Sequence, residues 1–109
     1  MARRVERGEI RLYRFAPPDK QRPVLVMTRQ SATAYLNSVT VAPLTSTIRG
    51  VPSEVRLDVE DGLKRPSAVN LHNLVTVSKA ALGRRLGRLD RKKMAEVCRA
   101  AAFALQCDG

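Results

Sequence analysis

Two short segments hold side chains whose types suit phosphate chemistry. Arg22 stands directly before the continuous apolar run 23–27, and residues 43–47 include three successive hydroxyls, those of Thr45, Ser46 and Thr47. An arginine at the mouth of a rigid strand can be held in one orientation, and its planar guanidinium matches the two non-bridging oxygens of a phosphodiester. Hydroxyls beside free backbone amides can bind the same group. Position alone also allows a solvated strand-end charge and an ordinary polar turn.

Other catalytic chemistries find few suitable residues in this chain. His72 is the only histidine, so two histidines cannot act as acid and base within one chain. The 10 acidic residues are scattered and form no cluster typical of a two-metal nuclease, and no glycine-rich phosphate loop is present. Cys98 and Cys107 are too few for a four-ligand zinc site. The sequence therefore predicts neither a metal nor a cofactor.

The chain is short and strongly basic. Its 109 residues suit one domain spanning 1–109, and 20 Lys and Arg against 10 Asp and Glu give a net charge of +10. Such a field attracts nucleic acid, an acidic protein or an anionic membrane surface. No apolar run of about 18 residues is available to span a membrane, and the basic residues 1–7 precede no apolar stretch typical of a signal peptide. We therefore expect a cytoplasmic protein without a membrane partner.

Short strands must position the candidate side chains. Alternating apolar and polar residues predict strands over 8–15 and 51–59, and the run 23–27 predicts a strand buried on both faces. Further strands are expected over 39–41, where Pro43 stops or bulges the strand, over 67–77 and over 83–89. Asp90 then begins a helix over 91–106 with an apolar stripe of Met94, Val97, Cys98, Ala101 and Leu105. This order predicts a mainly β protein, a small barrel closed or covered by the helix.

Several short motifs also follow one another in a recognisable order. They are Arg7-Gly8-Glu9-Ile10, Arg22-Pro23-Val24-Leu25-Val26, Val41-Ala42-Pro43-Leu44-Thr45-Ser46, Pro52, Ser67-Ala68-Val69, Leu74-Val75-Thr76-Val77-Ser78-Lys79 and Leu86-Gly87-Arg88-Leu89. Each motif is weak alone, but together they cover nearly the whole chain. In their order the sequence resembles the MazF/PemK/Kid family of toxin–antitoxin endoribonucleases.

The resemblance implies an SH3-like barrel with a C-terminal helix, assembled as a homodimer. It implies the toxin of a type II toxin–antitoxin system, which inhibits translation and growth by metal-independent, sequence-specific cleavage of single-stranded RNA (mRNA). In that reaction the ribose 2′-hydroxyl attacks the adjacent phosphorus and leaves a 2′,3′-cyclic phosphate and a 5′-hydroxyl. The family's catalytic arginine falls on Arg22 and its catalytic threonine on Thr45. An acidic cognate antitoxin of the MazE type is expected in the RNA groove.

The expected RNA-binding residues follow from the resemblance together with the positive charge. They are Arg11, Lys20, Gln21, Ser46, Thr47, His72 and Asn73, the last two as a polar pair on the fifth strand. Arg14 and Arg22 are expected to join this basic track, and Arg84, Arg85 and Arg88 either extend it or lie on a solvated face. Departures from the family pattern bear on RNA sequence preference. Arg11 replaces an aromatic residue, Asn73 replaces a glutamine, and the loop before Arg22 is short and lacks glycine.

Two other functions remain open from the sequence. A toxin of the same fold that binds gyrase, as CcdB relatives do, would end its helix with a functional tryptophan, and the chain has none. A non-catalytic RNA-binding barrel would keep the basic surface and would need neither Arg22 nor Thr45.

Overall fold

Short strands followed by a C-terminal helix make up the fold. The computed structural model describes residues 4–17 and 20–107, and within them seven strands join in one curled sheet. The strands are β1 (Glu9–Arg14), β2 (Gln21–Val26), β3 (Ser38–Thr45), β4 (Glu54–Leu57), β5 (Ser67–Asn70), β6 (Val75–Ser78) and β7 (Arg85–Arg88). The helices are α1 (Gln30–Thr33) and α2 (Arg91–Leu105), and 3-10 turns cover Val59–Asp61 and Lys79–Ala81. The mainly β prediction with a terminal helix is confirmed.

Strand β3 is the hub of the sheet, whose order is β4-β5-β3-β2-β1-β7 with β6 also on β3. The first half of β3 pairs with β6 and its last two residues pair with β5, all antiparallel. Pro43 does not end the strand, contrary to the prediction, and lies opposite Val24 of β2. It falls after the last β6 pair at Val41 and before the first β5 pair at Leu44. The missing N–H of Pro43 is therefore not needed by either partner.

The central strands separate two apolar clusters. Val24 and Val26 of β2 belong to one cluster with Val39 and Val41 of β3, whereas Leu25 belongs to the other, beneath helix α2. Because successive strand residues point to opposite faces, β2 is buried on both sides, as its continuous apolar run predicted. The candidate catalytic residues Arg22 and Thr45 are half-buried and lie at the ends of β2 and β3, next to these buried segments.

One predicted strand is divided in the structure. The expected fifth strand over 67–77 is two strands, β5 and β6, separated by a turn at residues 71–74. The turn redirects the chain so that β5 and β6 pair with different parts of β3. His72 and Asn73 consequently lie on this turn and not within a strand.

Helix α2 begins as predicted, and Met94, Val97 and Ala101 of its predicted stripe pack against the core. The Asp90 side chain accepts a hydrogen bond from the Lys93 N–H at 2.8 Å and caps the helix. Val97 and Ala100 are buried, while Cys98 and Leu105 of the predicted stripe are exposed. One residue turns a helix by about 100°, so a contact face that includes Val97 and Ala100 leaves Cys98 outside. No helix in the described residues is long and apolar enough to cross a membrane.

Candidate active site

The ends of β2 and β3 bring Arg22 and Thr45 together. These strands pair antiparallel, with Val24 opposite Pro43, Leu25 opposite Ala42 and Val26 opposite Val41. Arg22 lies two residues before Val24, and Thr45 lies two residues after Pro43, the last pair of this register. Residues two positions apart in a strand point to the same face of the sheet. Arg22 therefore shares the face of Val24, and Thr45 shares the face of Pro43. The β2–β3 pairing thus brings together two residues that come from separate sequence motifs.

Aromatic side chains hold the guanidinium of Arg22. Its Cζ lies 5.7 Å from the centroid of the Phe15 ring, a cation–π distance. Phe15 packs edge-on against Tyr13, with centroids 4.8 Å apart and an interplanar angle of 81°, and both rings pack against the valine cluster. Within the described residues, no carboxylate forms an ion pair with Arg22. The guanidinium is therefore oriented, half-buried and able to donate hydrogen bonds to an anion.

The Thr45 hydroxyl is oriented by the loop that follows it. The Thr47 backbone N–H donates to Thr45 Oγ1 at 3.1 Å, which leaves the hydroxyl hydrogen of Thr45 for an acceptor such as a phosphoryl oxygen. The same loop is secured further along, where Glu54 Oε1 accepts from the backbone N–H groups of Arg49 and Gly50, both at 3.0 Å. Thr45 is thus held between a strand and a loop that is fixed at its far end.

Two cavities meet at this point of the molecule. The larger has a volume of about 1090 Å³ and the smaller about 280 Å³, and Arg22, Leu44 and Thr45 line both. Among the described residues, the larger cavity is lined by six basic side chains and no acidic one; the basic residues are Lys20, Arg22, Lys64, Arg65, Arg84 and Arg85. The smaller is polar, with Thr47, Arg49, Glu54, Asn70 and Asn73 in its wall. A polyanion could therefore lie in the larger cleft with one phosphate at Arg22 and Thr45.

Most of the expected RNA-binding residues border these cavities. Lys20, Gln21 and Ser46 line the larger cleft, and Thr47 and Asn73 line the smaller cavity. His72 is exposed on the turn after β5 and lines neither.

The cleft also contains residues that the sequence analysis missed. Lys64 and Arg65 come from the turn before β5, and Arg49 and Asn70 flank the smaller cavity. The basic pair Lys64-Arg65, separated from the Asp61-Gly62 turn only by Leu63, was a usable signal for the first two. Nothing local shows that this turn faces Arg22.

Arg11 does not line the cleft, and the prediction that it contacts RNA is wrong. Only 8% of the residue is exposed. Its guanidinium binds Glu9 Oε1 at 3.0 Å and donates to the carbonyl oxygens of Gly83 at 3.0 Å and Arg4 at 2.7 Å. Every side of the guanidinium is engaged within the protein, because the N-terminal segment and the segment before β7 cover this face of β1. Arg11 is a structural residue.

Similarity to known proteins decides the family. A family model described as PemK-like, MazF-like toxin of type II toxin–antitoxin system matches residues 6–105. The chain belongs to this family. Endoribonuclease MazF3 of Mycobacterium tuberculosis is 44% identical over 80 residues, which are 73% of this chain and 78% of MazF3.

Solved structures agree in fold. The Mycobacterium tuberculosis toxin MazF-mt6 superposes with a TM-score of 0.84 and 37% identity, covering 93% of this chain and 99% of MazF-mt6. A mycobacterial endoribonuclease solved in complex with its cognate antitoxin gives a TM-score of 0.86 at 25% identity, covering 97% of this chain and 99% of that one.

The arrangement in this MazF-like chain suits electrostatic catalysis on a phosphodiester. No group of three or more His, Cys, Asp or Glu side chains in the described residues is placed to hold a metal ion. Arg22 can direct two N–H groups at the equatorial oxygens of a phosphorane, and Thr45 can donate a further hydrogen bond. Donors fixed before the reaction stabilise the charge that grows on these oxygens more than they stabilise the ground state.

Proposed function

We propose that this chain is the toxin of a type II toxin–antitoxin system and acts as a metal-independent, sequence-specific endoribonuclease on single-stranded RNA. The supporting observation is that Arg22 and Thr45 both line a basic cleft and the polar cavity that adjoins it. Relatives named endoribonuclease MazF support the same activity. As one domain acting in the cytoplasm, it would cleave mRNA and so stop translation and growth.

The proposed reaction uses the substrate's own nucleophile. The 2′-oxygen attacks the adjacent phosphorus as its proton passes to solvent, and the bond from phosphorus to the 5′-oxygen breaks. The leaving 5′-oxygen takes up a proton from solvent, so the products are a 2′,3′-cyclic phosphate and a 5′-hydroxyl. Arg22 and Thr45 bind the phosphoryl oxygens during this exchange. Arginine is a poor base because its guanidinium holds its proton firmly, so its role here is electrostatic.

The test is cleavage of a long unstructured RNA by purified protein in the presence of EDTA. Arg22→Lys keeps the charge and loses the planar fork, and Thr45→Val keeps the shape and loses the donor. Each change should lower kcat by about 10²–10³-fold, the usual cost of one fixed donor to a developing oxyanion.

Matched exposed positions provide the controls. Arg99→Lys on α2 and Thr76→Val on β6 should cleave at the normal rate. Near-normal kcat for folded Arg22→Lys and Thr45→Val would remove the assigned roles. RNA binding without any cleavage by the unaltered protein would favour the non-catalytic barrel.

We also propose a homodimer and an acidic antitoxin as partners. A chain of 12.1 kDa buries little of its surface alone, and light scattering should give about twice that mass. A monomer with the full cleavage rate would contradict the dimer. A mycobacterial endoribonuclease of the same fold was solved with its cognate antitoxin. For this chain, the antitoxin's acidic segment should compete with RNA for the basic cleft, and salt should weaken its binding.

A further inference from the structure

The wall of the large cleft away from Thr45 carries four basic side chains. Lys64 and Arg65 follow the 3-10 turn Val59–Asp61, and Arg84 and Arg85 lie at the start of β7. These two segments are about twenty positions apart in sequence, yet both line one cavity with Arg22 and Thr45. We call Lys64, Arg65, Arg84 and Arg85 the far wall.

Two glycines join the segments of the far wall. A Cβ at Gly62 would overlap with the carbonyl oxygen of Leu86, and a Cβ at Gly87 would overlap with the carbonyl oxygen of Asp61. Gly62 also has a φ of +100°, a conformation that favours glycine. Backbone therefore lies directly on backbone, which keeps the turn that carries Lys64 and Arg65 against β7.

The turn is also ordered internally. The Asp58 side chain accepts from the Val59 N–H at 2.7 Å, and the Asp61 side chain accepts from the Asp58 N–H at 3.0 Å. These bonds define the start of the turn before the chain reaches Gly62. The basic pair that follows is thus displayed from a defined backbone.

The charges of the far wall are mostly unneutralised. Arg85 lies 3.5 Å from Glu9 Oε2, but Lys64, Arg65 and Arg84 form no ion pair within residues 4–17 and 20–107. Placing like charges on rigid backbone costs repulsion that an anion would relieve. A cavity of about 1090 Å³ exceeds what one phosphate needs.

We propose that the far wall binds backbone phosphates of RNA nucleotides that flank the cleaved bond. This inference rests on the endoribonuclease function proposed above. RNA is favoured over an acidic peptide because the far wall and the candidate catalytic pair share one cavity. One strand can therefore place a phosphate at Arg22 while its neighbours reach Lys64, Arg65 and Arg84. These contacts carry no base specificity and act on the affinity for longer RNA.

The test is a triple variant, Lys64→Gln, Arg65→Gln and Arg84→Gln, which leaves Arg85 and its partner Glu9 unchanged. After the cleavage site has been mapped in a long RNA, two oligonucleotides are compared. One spans only the cleaved bond, and the other has several unpaired nucleotides on each side.

The triple variant should bind the flanked oligonucleotide more weakly and with less dependence on salt. Each lost contact to a single strand lowers the slope of log K against log salt by about 0.7, so three contacts lower it by about 2 and weaken binding roughly 50-fold at 0.15 M salt. KM for the flanked oligonucleotide should rise correspondingly. For the short oligonucleotide, kcat should stay within about twofold, since the donors to the reacting phosphate remain.

A control removes the same charge elsewhere. Arg91→Gln, Lys92→Gln and Arg99→Gln alter exposed positions on α2 that line neither cavity, and this variant should keep the slope and KM of the unaltered protein. An equal loss in both triple variants would show a general effect of net charge and overturn the proposal. A loss of kcat on the short oligonucleotide would also overturn it, because the far wall would then act at the cleaved bond.

Two further outcomes separate this proposal from the proposed function. Normal RNA binding by the far-wall variant, combined with weaker binding of a polyglutamate peptide, would assign the wall to an acidic protein and overturn the RNA proposal. Absence of cleavage by the unaltered protein would contradict the proposed function itself, whereas normal cleavage with unchanged KM in the far-wall variant would contradict only this inference.

Discussion

Replacing Arg11 by alanine distinguishes a structural arginine from an RNA-binding one. Glu9 is only 3% exposed and Arg11 8%, so the substitution leaves a buried carboxylate without its main partner. It also removes the donors to the carbonyl oxygens of Gly83 and Arg4. We expect a large loss of stability and no specific loss of affinity for RNA.

The size of the effect follows from what Glu9 retains. Breaking a buried ion pair by removing one partner costs about 3–5 kcal/mol. Glu9 keeps the Glu6 N–H at 3.0 Å and Arg85 at 3.5 Å, which places the cost near the lower limit, at about 3 kcal/mol. For a domain of this size, each kcal/mol lowers Tm by roughly 4–8 °C, so a fall of roughly 12–24 °C is expected.

Thermal and urea unfolding measure the change, and RNA binding is measured at a temperature where the variant is folded. The double variant Glu9→Gln with Arg11→Met neutralises both partners and should recover much of the stability, since uncharged groups of similar volume often replace a buried ion pair without loss. An unaltered Tm for Arg11→Ala, together with a weaker and less salt-dependent affinity for RNA, would refute this reasoning. Arg11 would then be an RNA-binding residue.

Three further changes test the packing around the site. Gly87→Ala introduces a Cβ that overlaps with the Asp61 carbonyl oxygen and should destabilise by about 1–3 kcal/mol, measured by urea unfolding; an unchanged midpoint would show that the strand and turn can separate freely. Asp90→Ala removes the helix cap and should cost about 1 kcal/mol, whereas Asp90→Asn should retain most of it in the same assay. Phe15→Leu removes the ring beside Arg22 and should lower single-turnover cleavage by about 2–5-fold, as a cation–π contact of ~0.5–1 kcal/mol implies; an unaltered rate would show that the ring does not orient the guanidinium.

Local sequence patterns predicted the strands and the helix better than they predicted which of these elements pair or pack with one another. The apolar run 23–27 predicted a strand buried on both faces because every position in it is apolar. That prediction is confirmed. The end of β3 was harder to place, since proline normally ends a ladder. Whether Pro43 is tolerated depends on where β6 stops and β5 begins, which is a property of distant pairing.

In the candidate site, too, local motifs indicated some of the residues, whereas contacts between distant segments decided which residues lie in the cleft. Arg22 and Thr45 were assigned from the resemblance, and strand register explains how they meet, but their catalytic roles stay predictions. Arg11 was misplaced because alternation along β1 indicated a solvent-facing side, whereas the N-terminal segment and the backbone at Gly83 cover that side. Lys64 belongs to the cleft through a glycine contact with β7, and no local pattern could have indicated that contact.

The distribution of charge says more about function than the net value of +10. Glu9 forms ion pairs with Arg11 and Arg85, and Glu6 forms one with Arg88. Two further pairs join Arg56 to Asp58 and Lys93 to Glu96. None of these carboxylates lines the cleft. Of the cations that they neutralise, only Arg85 lines it. Because exposed charges more than about 8 Å apart are largely screened at physiological salt, the cations that line the cleft dominate the field that an RNA phosphate meets there. The local excess of positive charge, more than the total, therefore favours a strand lying across Arg22 and Thr45.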